Sequence, residues 1–103
     1  AYEQLVAQLE LKREAAKSPE IDALEQQLAA EPDNHDARAR LAIQYTNAGR
    51  FRDALENLIT ILQQDLNHAD GGTKKVLLDT IASLGKGDPL AAEYQRKLYS
   101  MLY

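Results

Sequence analysis

Residues 20–34 read EIDALEQQLAAEPDN, and 34 positions later the chain reads ALENLITILQQDLNH. Ile21 falls on Leu55, Leu24 on Leu58, Leu28 on Leu62 and Glu31 on Asp65. A period of this length marks one supersecondary unit used twice, whose apolar face is buried only by stacking on its neighbour. The apolar positions recur at i, i+3 and i+7, the spacing of one helix face, and no stretch alternates with period two. The chain is therefore expected to be all-α, built of antiparallel helical hairpins.

Caps and breakers divide it into about six helical segments. The first spans about 2–17, with Tyr2, Leu5, Val6 and Leu9 on one face. Ser18-Pro19 is an N-cap with Pro at the first helical position and opens a segment to about Ala30. Pro32-Asp33-Asn34 separates it from a segment over about 35–48, with Ala37, Leu41, Ala42 and Tyr45 inward and Gly49 as the C-terminal cap. The next, about 51–67, is expected to bury Phe51, Ala54, Leu55, Leu58 and Leu62. Asp70-Gly71-Gly72-Thr73 opens a fifth that buries Leu77, Leu78, Ile81 and Leu84 and ends at Gly85. Asp88-Pro89 starts the sixth, which runs to the end.

The hairpin at 35–68 resembles the tetratricopeptide repeat, through Leu41, Ala42, Tyr45, Gly49, Phe51, Ala54 and Leu58. Ala42 and Ala54 are small where two helices must approach, Gly49 supplies a left-handed turn, and Tyr45 and Phe51 fill the space between the helices. There are departures. Arg38 stands where a large aromatic is usual, and Ile61 where a second small residue is. Leu66 replaces the terminating proline, so the helix before it is expected to run long. All 103 residues form one domain: a helical cap over 1–34, the repeat over 35–68 and a C-terminal hairpin over 69–103. The sequence starts inside a helical pattern without Met, as the C-terminal part of a longer chain would.

The ending, ADGGTKKVLLDTIASLGKGDPLAAEYQRKLYSMLY, is more specific. Ala69-Asp70-Gly71, Leu84-Gly85, Gly87-Asp88, Leu90-Ala91, Tyr94, Arg96, Leu98-Tyr99 and Leu102-Tyr103 resemble the C-terminal region of the bacterial thioredoxin-like co-chaperones, the chaperedoxins. The resemblance implies a cytoplasmic, non-enzymatic holdase domain that passes protein clients to a GroEL-type chaperonin, with the DnaK system as a further partner. It also implies that any mixed-disulfide chemistry belongs to an N-terminal thioredoxin fold outside this sequence, which has no cysteine.

Tyr99 and Tyr103, beside Arg96 and Leu102, are the expected chaperonin anchors. Laid out at about 100° per residue, helix 89–103 turns Leu90, Met101, Tyr94, Leu98, Ala91 and Leu102 inward and leaves both tyrosines outside. Arg38, Asn47, Arg50 and Arg52 are candidates to hold an acidic client segment, against the alternative of a solvated helix end. A helical spacer that binds nothing transiently is the rival reading.

Other chemistry finds little support. The net charge of −4 opposes nucleic-acid binding, although residues 73–103 carry 5 Lys/Arg against 3 Asp/Glu. The GKGDP turn could pass for a helix-turn-helix, but PLAAEYQ offers few base-reading side chains. His35 and His68 sit in equivalent turns and lack further ligands at metal spacing, so they read as solvated. No cofactor motif, catalytic ordering or membrane-length apolar run is present.

Overall fold

The computed structural model describes residues 18–103, so the expected segment 2–17 lies outside the described residues. Five α-helices follow: α1 (Pro19–Ala30), α2 (His35–Asn47), α3 (Phe51–Gln64), α4 (Gly72–Leu84) and α5 (Pro89–Leu102). A 3₁₀ turn, His68–Gly71, precedes α4. Among the described residues there is no strand, and the chain is all-α as its periodicity requires.

Local chemistry sets most boundaries. The Ser18 hydroxyl accepts the Ile21 N–H at 3.2 Å and the Asn34 side chain accepts the Ala37 N–H at 3.0 Å. Asp88 Oδ1 accepts from Leu90 at 2.8 Å and from Ala91 at 3.3 Å. Each satisfies amides that a helix start leaves without an intrahelical partner. At the α2–α3 turn Gly49 has φ +79°, the Arg50 N–H reaches Tyr45 O at 2.8 Å and the Gly49 N–H reaches Thr46 O at 3.1 Å. This is a Schellman closure, in which the left-handed residue reverses the chain and satisfies the last carbonyls.

α3 ends at Gln64 and not near residue 67. Asp65 takes an extended conformation, and its Oδ1 accepts the Asn67 N–H at 3.1 Å. This side-chain turn competes with the helix and stops it without a proline. The start of α4 also differs from expectation. Asp70 does not cap it; Ala69 (φ 58°), Asp70 (φ 55°) and Gly71 (φ +87°) are all left-handed, and Gly71 is the N-cap. Three left-handed residues in a row wind the chain back so that α4 can lie beside α2.

The helices stack in sequence order, α2 against α3 most extensively, and α5 packs on both α3 and α4. Ala37, Leu41, Ala42 and Tyr45 of α2 are buried against Ala54, Leu55 and Leu58 of α3. Ile21 and Leu28 of α1 and Leu77, Ile81, Tyr94 and Leu98 of the last hairpin continue the same core. Ile61, at the position where the repeat usually has a small residue, is fully buried. Three expected core positions are less enclosed. Phe51 is half-buried because it is the first residue of α3, Leu84 is half-buried next to the closing Gly85, and Leu78 is exposed. Thr73 and Thr80 are buried on α4 instead, and the Thr80 hydroxyl donates to Val76 O at 2.8 Å.

Two substitutions test this architecture. Ala54 is completely enclosed, so Ala54→Leu overpacks the α2–α3 crossing and is expected to cost about 1–3 kcal/mol in urea denaturation. Ala69→Gly removes a left-handed alanine whose conformation costs roughly 1–2 kcal/mol, and after the chain-entropy loss of glycine it should still stabilise by up to about 1 kcal/mol. A lower melting temperature for Ala69→Gly would contradict the left-handed turn.

Candidate functional site

The arginines expected to form one client groove are not brought together. Arg38 is half-buried, with Nη1 donating to Asn57 Oδ1 at 3.0 Å and Nη2 donating to Pro32 O at 3.2 Å. It ties α2 to α3 and to the preceding loop, a polar substitute for the aromatic usual at this position. Arg50 pairs through Nε with Asp53 at 2.9 Å and lies 4.5 Å over the Tyr45 ring. Arg52 is on α3, where Nη1 meets Glu93 of α5 at 3.2 Å. Asn47 is exposed at the last turn of α2. The repeat positions Leu41, Ala42, Tyr45, Ala54 and Leu58 are all buried.

Two tyrosines form polar links between helices. The Tyr45 hydroxyl donates to Glu25 Oε2 at 2.6 Å, joining α2 to α1. The Tyr94 hydroxyl donates to Glu56 of α3. Lys97 Nζ lies 4.5 Å from the Tyr94 ring centroid and 3.2 Å from Glu56 Oε1. Burial, followed by the carboxylate hydrogen bond, pushes both phenols above the ordinary tyrosine range. The Tyr94 hydrogen bond is the main cause that holds the Glu56 carboxyl below its usual value.

The C-terminal end of α5 presents a different surface. Tyr103 is 99% exposed, Tyr99 is 46% exposed, and their rings meet edge to face with centroids 6.3 Å apart. Gln95 Nε2 donates to the Tyr99 hydroxyl at 3.1 Å, and Arg96 is exposed nearby. Leu102 points the other way, half-buried against the core with Met101 and Leu90. α3 and α4 flank the inner face of α5, yet both tyrosines remain outside.

His35 and His68 do not read as solvated turn residues. Their rings meet edge to face at 5.5 Å. His68 is bracketed by Thr73 Oγ1 at 2.6 Å from Nδ1 and Asp36 Oδ1 at 3.2 Å from Nε2, while His35 Nδ1 is buried without a partner. The stacking of successive turns brings them together, and the pair joins α2 to the start of α4. Among the described residues no group of three or more His, Cys, Asp or Glu could hold a metal.

Arg40 and Ile43 went unsingled in the sequence. They share one face of α2 at i, i+3, and both are exposed. The available signal was an apolar β-branched residue outside the inward set of 37, 41, 42 and 45.

Antiparallel helix pairs that stack on their neighbours through small buried residues define a helical-repeat protein. The chain belongs to the tetratricopeptide repeat family, whose profile matches residues 14–103. It is 40% identical over 99 residues to an uncharacterised protein of Haemophilus influenzae, covering 96% of this chain and 45% of that protein. It also matches the crystal structure of a domain of a Vibrio parahaemolyticus protein of unknown function, with 48% identity and a TM-score of 0.82, covering 99% of this chain and 60% of that one. The chain thus spans less than two thirds of either relative. Among the described residues no helix is long and apolar enough to cross a membrane.

The polar links give a pH prediction. Glu56 has a lowered folded-state pKa, so its contribution is present above the unfolded value, near 4.5, and is lost as pH falls through the folded value. Tyr94→Phe should cost about 1–2 kcal/mol at pH 7 and flatten that acid dependence, measured by urea denaturation between pH 7 and pH 3. Equal stability of the two proteins at pH 7 would show that the link contributes nothing.

Proposed function

We propose that this chain is a non-enzymatic protein-binding domain of a cytoplasmic thioredoxin-like co-chaperone. It holds client proteins and docks on a GroEL-type chaperonin through the end of α5, with the DnaK system as a second partner. The observation that carries this reading is the Tyr99–Tyr103 pair. Two tyrosines in edge-to-face contact, one almost wholly exposed, stand beside a free arginine at a chain terminus. Tyrosine and arginine supply large contact area at low entropic cost and are enriched at interface cores. Support also comes from the family, whose stacked hairpins are suited to protein–protein interaction, and from the resemblance of the C-terminal sequence to the chaperedoxins.

The spacer reading draws on one specific observation. Arg38, Arg50 and Arg52 are all engaged within the fold, as they would be in a part that only sets geometry. Pull-down separates the two, because a spacer retains no chaperonin ring. Tyr99→Ala with Tyr103→Ala is expected to abolish binding to purified chaperonin in surface plasmon resonance. Stability should change by less than about 1 kcal/mol, as at surface positions generally. A folded double mutant that binds as the parent does would move the docking surface elsewhere.

A further inference from the structure

Two hollows adjoin on the outer side of α2. One, about 420 Å³, lies between α2 and α4 and has Ala39, Val76 and, from α3, Leu58 in its lining. The other, about 460 Å³, lies between α1 and α2 and is lined by Ala23, Leu24 and Gln44 among others. Arg40 and Ile43 line both. They form a ridge with an apolar depression on each side. Ile43 is 46% exposed, although an isoleucine on a helix of this domain has a core available to it.

Charge selects the occupant. Of the four arginines on or beside α2 and α3, three are committed: Arg38 to Asn57, Arg50 to Asp53 and Arg52 to Glu93. Arg40 has no ion pair or hydrogen bond among the described residues. Asp36, one turn before it, is turned to His68. A guanidinium without a carboxylate, set between two apolar hollows, fits an anionic side chain flanked by apolar ones. Glu20, on the wall of the α1 hollow, repels a second acid there, so the partner's carboxylate belongs on the ridge.

We propose that the Arg40–Ile43 ridge and its two hollows form a docking surface for an acidic, amphipathic helical segment of a client protein. Hollows on opposite sides of one helix are about 10 Å apart, the diameter of that helix. A client helix returns side chains to one face at i and i+7, a rise of about 10 Å, so two apolar residues at that spacing fill both hollows while an acid between them pairs with Arg40. The inference rests on the protein-binding reading above but not on the identity of the chaperonin.

Fluorescence anisotropy on the full 103-residue chain tests it with two labelled 14-residue helical peptides. Both carry Leu at positions 3 and 10; one has Glu between them and the other Lys. The Glu peptide should bind about tenfold more tightly, the worth of one charge-assisted contact. Arg40→Gln should bring the Glu peptide down to the Lys peptide, and Ile43→Ser should weaken both. Equal binding of the two peptides to the parent chain, or an undiminished Glu preference in Arg40→Gln, overturns the proposal. The peptide swap needs no variant, so misfolding cannot imitate either result. Tyr99→Ala with Tyr103→Ala should leave peptide binding unchanged, and Arg40→Gln should leave chaperonin binding unchanged, so the two readings fail separately.

Discussion

Every later feature of this domain depends on α3 being apolar on more than one side. Ala54, Leu55, Leu58, Ile59, Ile61 and Leu62 are all buried on a helix of 14 residues. α2, α4 and α5 each pack against it. Ala54 lets α2 approach closely, and the bulk of Ile59, Ile61 and Leu62 faces the helices that follow. Interiors are close-packed, so these side chains fix the distance between hairpins as well as their stability. Hollows flanking α2 and the outward tyrosines of α5 follow from where α3 holds those two helices.

Polar side chains finish what apolar packing begins. Tyr45 and Tyr94 are buried rings whose hydroxyls reach carboxylates on a neighbouring helix, and each ring carries a cation at 4.5 Å. Buried hydroxyls need partners, and these partners are long-range, so each link fixes the rotation of one helix against another. Arg38 works similarly at the position where an aromatic is usual in the family. Such commitments explain why the client-facing cation falls to Arg40: its neighbours on α2 and α3 are used up in holding the fold.

The chaperone reading joins two separate surfaces on one small domain. The ridge of α2 lies on the first helix of the repeat, and the tyrosine pair lies at the far end of the chain. A client held on one and a chaperonin bound to the other would not compete for the same side chains. That separation is what an adaptor requires, and it makes the two sites independently mutable.

The helix count, the cap residues and the inward faces of α1, α2 and α5 were legible in the sequence, because they rest on local rules. Ser18, Asn34 and Asp88 cap as their side chains dictate, and Gly49 takes the left-handed turn that L-residues avoid. The exposure of Tyr99 and Tyr103 followed from helical geometry alone. The end of α3 was misjudged because Asp65 outcompetes the helix through its own side chain. The opening of α4 was misjudged because Ala69 and Asp70 accept a conformation that local preference argues against. What only the tertiary structure decided was pairing: which carboxylate each arginine meets, that His35 faces His68, and that Arg40 meets none. Sequence sets which face of a helix is apolar, since that depends on a period of 3.6. It does not set which long polar side chains find partners, since that depends on distances between helices far apart in the chain.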